Sequence, residues 1–180
     1  MRTYWQPATP NPRSITRWLF TLLVFLTGCY SFTGSSIPSH LHTIGIPLVQ
    51  DNSGYGQADI RQDLTNQLVQ KFTRDGSLQV RDKAVADAVL EVTITSISDL
   101  PVAVSQGTPA TGEQLTNKRL TISVSATYRD MKKQKLVWER SFQQSSDYPI
   151  ASGLPALQTA VKEAEDKLSD DLLLGVISNW

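Results

Sequence analysis

The run Leu26-Thr27-Gly28-Cys29 places a thiol where covalent chemistry is expected, and Cys29 is the one cysteine in 180 residues. Ahead of it, Arg2, Arg13 and Arg17 supply positive charge, and Trp18 to Phe25 with Leu26 supply nine largely apolar residues. That stretch falls well short of the roughly 20 apolar residues a membrane-spanning helix needs. It fits instead the apolar segment of an export signal, which ends in small residues where a peptidase must reach the backbone. A leucine, two small residues and a cysteine form the pattern of bacterial lipoprotein processing. The thiol takes a diacylglycerol, the chain is cut between Gly28 and Cys29, and a further acyl chain is added. The competing reading is an ordinary signal peptide ending near a buried cysteine. A lone cysteine has no disulfide partner, which favours the lipid.

Cleavage there would leave residues 29–180 and remove three arginines, so 14 Lys+Arg face 17 Asp+Glu, a charge of about −3. Such a balance argues against a nucleic-acid binder, which normally shows a basic face. One buried acyl chain holds a protein only reversibly, whereas several hold it essentially permanently. Tyr30, Ser31 and Phe32 follow the cysteine with no aspartate next to it, which favours sorting to the outer membrane, on its periplasmic side.

Other chemistry is thinly represented. His40 and His42, with Asp51, could in principle hold a metal, but surface histidines beside a strand are far commoner, and no metal site is expected. No phosphate-cradling glycine loop, nucleophile elbow or His-Glu-x-x-His motif occurs. Asp170-Asp171 reads as a solvated helix face rather than a catalytic dyad, and Trp138 and Phe142 read as core. No catalytic residues and no non-covalent cofactor are expected. Two small basic groups, Lys118-Arg119 and Lys132, Lys133 with Lys135, either solubilise the chain or meet the phosphates of a lipopolysaccharide headgroup.

The elements that must position these residues follow from periodicity. Residues 29–40 read as a lipidated, Ser/Gly/Pro-rich tether, and 41–180 as a single domain. A first strand runs from Thr43 to about Pro47. Ile60, Leu64, Leu68 and Phe72 recur every four residues, predicting a helix over 57–75 capped by Gly76. Leu78 and Val80, and then Val89 to Ile97, read as strands. Residues 99–117 read as a long connection. Leu120, Ile122, Val124, Ala126 and Tyr128 alternate with Thr121, Ser123, Ser125 and Thr127, as in a strand with one wet face. Asp130 to Lys135 makes a hairpin turn. The returning strand places Leu136, Trp138 and Phe142 on one side, with Val137, Glu139 and Ser141 on the other. Leu157, Val161, Ala164, Leu168 and Leu172 mark a final helix. The expected fold is an α+β two-layer sandwich, with two amphipathic helices on a mainly antiparallel, mixed four-stranded sheet.

The segment Cys29-Tyr30-Ser31-Phe32-Thr33-Gly34-Ser35-Ser36-Ile37-Pro38, followed by Thr43-Ile44-Gly45-Ile46-Pro47, resembles the start of the LptE-type lipopolysaccharide-assembly lipoproteins of Bacteroidota and related bacteria. The order strand, helix, strands, helix continues the likeness over the mature chain. The resemblance implies a non-enzymatic protein that plugs, and helps to assemble, a large outer-membrane β-barrel translocon for lipopolysaccharide, and that contacts lipopolysaccharide itself. Only Cys29 carries across as a site residue. A second resemblance, Leu78 to Ile94 with its Ala86-Asp87-Ala88-Val89-Leu90-Glu91-Val92-Thr93-Ile94 strand, is to lipoprotein activators of peptidoglycan synthases. The short tether opposes it, because an activator must reach the cell wall.

Overall fold

The computed structural model describes residues 37–56, 58–102 and 116–178. All of these belong to one compact unit, Ser35–Trp180. Gly28, Cys29 and most of the tether lie outside the described residues.

Strand β1 (Thr43–Gly45) and β2 (Gln50–Asp51) lead into helix α1 (Ala58–Asp75), short strand β3 (Gln79–Arg81) and three long strands, β4 (Ala88–Val102), β5 (Asn117–Asp130) and β6 (Lys135–Pro149). One 3-10 turn, Ile150–Ser152, precedes helix α2 (Gly153–Ile177). The sheet order is β3-β1-β4-β5-β6, with β2 also paired to β4. Pairings of β1 with β3 and of β1 and β2 with β4 are parallel; β4, β5 and β6 are antiparallel.

The mixed α+β sandwich with two helices is as the sequence indicates, but the sheet has six strands rather than four. Two causes account for the difference. The first lane beside β4 is broken into β1 and β2 by residues 46–49, where Pro47 has no N–H for the ladder. The crossover through α1 then returns the chain as β3, the short strand that Leu78 and Val80 mark, which joins the same sheet as a parallel edge strand.

The core lies between the sheet and the helices. Leu64, Leu68 and Phe72 of α1 and Ala164, Leu168 and Leu172 of α2 meet Leu90, Ile94, Leu120, Ile122, Val124 and Ala126, all buried. Fully burying one such Leu, Ile or Val is worth about 1.5–3 kcal/mol. Gly76, at φ +73°, ends α1 and donates its N–H to the Phe72 carbonyl at 3.1 Å, the expected cap. Gly45 has a different role: a Cβ there would stand 2.8 Å from the Lys83 Cα, because the loop after β3 crosses directly over β1.

The long strands reach further than periodicity suggests. β4 continues to Val102 and β5 begins at Asn117, so the connection is shorter than 99–117; residues 103–115 lie outside the described set. β6 also differs in its faces. Trp138 lies opposite Tyr128 but Leu136 lies opposite Arg129, so Val137 is an extra residue in a bulge. The bulge turns Leu136 out to 41% exposure and leaves Val137 against the core, the reverse of the simple alternation.

Candidate functional site

β5 has two faces of opposite chemistry. Leu120, Ile122, Val124, Ala126 and Tyr128 are buried under the helices, while Thr121, Ser123, Ser125 and Thr127 point to the side that no described helix covers. Neighbouring strands extend this face with matched residues. Thr127 pairs with Glu91 and Glu139, Ser125 with Thr93 and Ser141, and Ser123 with Gln143. A bulge at Ile94/Ser96 restores the alternation so that Ile97 again faces Ile122. The result is a broad sheet surface of small hydroxyls with a few charges. No catalytic grouping stands on it.

The two basic groups lie at opposite ends of the sheet. Arg119 and Asp130 are eleven residues apart on β5, roughly 36 Å along the strand. At the first end, Lys118 Nζ is 3.0 Å from Asp99 Oδ2, and the Tyr148 hydroxyl donates to the same oxygen at 2.8 Å. Burial and the Asp99 carboxylate together push the Tyr148 hydroxyl up to about 12. Arg119 grips Asp147 through two hydrogen bonds of 2.6 and 2.8 Å, which hold the Asp147 carboxyl below its usual range. Exposed Leu154, at the start of α2, and Leu100 stand near this end.

At the other end the chain enters the domain. The Asp87 carboxylate accepts the backbone N–H of His42 at 2.8 Å and of Thr43 at 3.1 Å, and the Thr43 hydroxyl accepts the Asp87 N–H at 2.9 Å. The His42 N–H above all, with Lys132, lowers the Asp87 pKa to about 2. Lys132 Nζ lies 3.1 Å from Asp87 and donates to the His40 carbonyl at 2.8 Å, while His40 Nε2 is 2.6 Å from Asp130 Oδ2. The entering strand is thus fastened to the β5–β6 turn. Lys133 and Lys135 are exposed there and enter no ion pair among the described residues.

The structure places the other residues that the sequence singles out. His40 is engaged by Asp130, and Asp51 caps its own turn by accepting the Ser53 N–H at 2.8 Å, so the structure does not bring them together as ligands. Among the described residues no three His, Cys, Asp or Glu side chains converge to hold a metal. Asp170 pairs with Lys71 at 2.6 Å, joining the two helices, and Asp171 accepts from Gln144 at 2.6 Å, tying α2 to the sheet. Trp138 packs in the core beside Tyr128 and Phe142, with the Arg140 guanidinium 5.5 Å from its ring centre.

One buried acid was not anticipated. Glu165 sits between the helices, fully buried, accepting from Gln67 Nε2 at 2.9 Å. Burial, with Asp63 nearby, raises its carboxyl to about 8, so it holds its proton at neutral pH. Its spacing from Val161 and Leu168 puts it on the apolar stripe, which is the signal that marks it.

The model of the LptE family of lipopolysaccharide-assembly proteins matches residues 41–174. No curated protein matches the chain in sequence. Among solved structures, a DUF330-family protein from Xanthomonas campestris superposes with a TM-score of 0.55 at 13% identity, covering 79% of this chain and 90% of that one. A putative neuraminyllactose-binding hemagglutinin homolog from Helicobacter pylori gives 0.53 at 13%, covering 79% and 87%. A hypothetical protein from Chlamydia trachomatis gives 0.52 at 9%, covering 76% and 95%. At these identities the likeness establishes the fold alone. The family match spans most of the chain, from the first strand nearly to the end of α2, and the chain belongs to the non-enzymatic LptE family of lipopolysaccharide-assembly lipoproteins.

Proposed function

We propose that this chain is anchored through diacylglycerol and acyl groups on Cys29 to the periplasmic side of the outer membrane, and that it seats within a large β-barrel translocon, assisting the barrel's assembly and the insertion of lipopolysaccharide. The observation that carries this reading is the open sheet face. A β-barrel lumen is lined with polar groups. A plug for it must offer a wide, rigid, polar surface without a greasy patch, and Thr121, Ser123, Ser125 and Thr127 with their cross-strand partners offer one. Small hydroxyls both donate and accept, so they suit a wall of mixed polar groups.

The test is co-purification from detergent-solubilised envelopes. The protein is expected in a one-to-one complex with a large barrel, and its depletion is expected to lower the folded barrel and surface lipopolysaccharide together. Depletion that leaves both intact and changes cell-wall cross-linking would show a synthase activator instead. Mass spectrometry of the mature N-terminus is expected to find acylated Cys29; an unmodified thiol there would refute the anchor.

A further inference from the structure

We infer that the end of the domain at which the chain enters is a membrane-orienting tip, whose cations rest on the phosphates of the anionic phospholipids in the leaflet that carries the anchor. The inference rests on the anchor at Cys29 proposed above and adds a docking surface to it.

Charge is distributed unevenly over the molecule. The strand ends and turns spanning Arg81 to Glu91 and Arg129 to Arg140 carry seven Lys/Arg against five Asp/Glu. The two helices carry five Lys/Arg against seven Asp/Glu, besides the buried, protonated Glu165. An anionic surface would therefore attract this end and repel the helix layer.

The pairing pattern sharpens the contrast. Four of the five acids at this end are already engaged. Asp87 and Asp130 hold the entering strand, Glu91 pairs with Lys83 at 2.5 Å, and Asp82 accepts the Ala84 N–H at 2.8 Å. Arg129, Lys133 and Lys135 are exposed and enter no ion pair among the described residues. Across the sheet, Arg81 offers its guanidinium with only Gln79 beside it, at 3.5 Å. At the opposite end both cations, Lys118 and Arg119, are committed to Asp99 and Asp147. Four exposed cations without an ion pair among the described residues, Arg81, Arg129, Lys133 and Lys135, therefore gather where residues 37–43 join the sheet, whereas Arg61, Lys162 and Lys167 lie dispersed along the helices.

Connectivity supplies the rest. His40 lies eleven residues after Cys29, so the anchor can stand at most roughly 40 Å from the tip. The tip is fastened to the incoming chain by Lys132 and Asp130, so a domain drawn toward the surface meets it with this end first. Each Lys or Arg near an anionic surface adds an attraction that fades within a Debye length, so salt should release it.

The experiment uses the full, lipidated chain in vesicles of phosphatidylcholine with or without phosphatidylglycerol. A fluorophore is placed at Met131→Cys on the tip or at Leu154→Cys at the opposite end, with a spin label on lipid headgroups as quencher. Quenching at position 131 is expected to exceed that at 154 several-fold in phosphatidylglycerol vesicles. High salt, or Lys133→Glu with Lys135→Glu, should abolish the difference. Flotation with equal quenching at both positions, or quenching insensitive to salt and charge reversal, would overturn the tip alone. Failure to float with either vesicle would overturn the anchor as well. Quenching at 131 that rises with added lipopolysaccharide but not with phosphatidylglycerol would assign the cations to a different ligand and overturn the inference.

Discussion

Val124 and Ser125 are adjacent in sequence and sit on opposite faces of one strand, and the two faces meet different demands. Val124 is fully buried between Ile94 and Phe142 on neighbouring strands, under the helices. Ser125 pairs with Thr93 and Ser141 on the side no described helix covers. The helix-covered face is held by close packing, so volume and polarity matter there to within a methyl group. The uncovered face needs only to stay polar and flat. Stability should therefore be read out on one face and partner recognition on the other.

The sharpest break of that contrast is Val124→Asp. An unpaired carboxylate in this layer has no hydrogen-bond partner and either pays desolvation or takes up a proton. A loss of about 3–5 kcal/mol is expected, visible in denaturant titration as a large drop in midpoint with the slope little changed. An unaltered midpoint would mean that the faces of β5 are reversed.

A smaller effect is expected from Glu165, a fully buried acid on the covered side. Its folded pKa of about 8 lies above the ordinary 4.5, so the folded state binds the proton more tightly than the unfolded chain does. Its contribution is therefore fully present below the unfolded value and is lost as pH rises toward 8. Glu165→Gln removes the titration while keeping the shape and the hydrogen bond to Gln67. The variant should gain on the natural protein as pH is raised from 5 to 8, by on the order of 1–3 kcal/mol. Denaturation curves that shift in parallel at all pH values would show that Glu165 does not titrate in this range.

How much of this was legible in the sequence depends on the range of the signal. Alternation along β5 and the four-residue recurrence in α1 are local, and both gave the correct faces, because a one-residue slip would turn every apolar side chain to water. The bulge at Val137 was not legible, since its register is set by pairing with Tyr128 and Arg129 on another strand. β3 was marked by Leu78 and Val80 but its place was not, because its three residues pair with β1 only after a helix-long crossover. The basic residues could be listed from the sequence, but not their state: Arg119 is spent on a carboxylate 28 residues away, whereas Lys133 and Lys135 stand free. Asp87 likewise reads as an ordinary strand-edge aspartate until His42 and Thr43 are seen to donate to it from 45 and 44 residues away.

The smallest expected change in stability comes from the uncovered face, with Ser125→Asp. The site is half-buried only by its flat neighbours, and the new carboxylate can remain hydrated. Surface changes of this kind usually stay within about 0.5 kcal/mol. Glu91 and Glu139 flank the next pair along the sheet, at Thr127, so a further negative charge adds mild repulsion that salt screens. If the face seats against a barrel wall, the same carboxylate must lose water on docking without a dedicated partner, and a buried uncompensated charge is strongly penalised. The variant is therefore expected to melt with the natural protein yet recover several-fold less barrel on co-purification. Normal recovery at normal stability would remove this face from the interface. A melting loss as large as that of Val124→Asp would show instead that the face is covered within the protein itself.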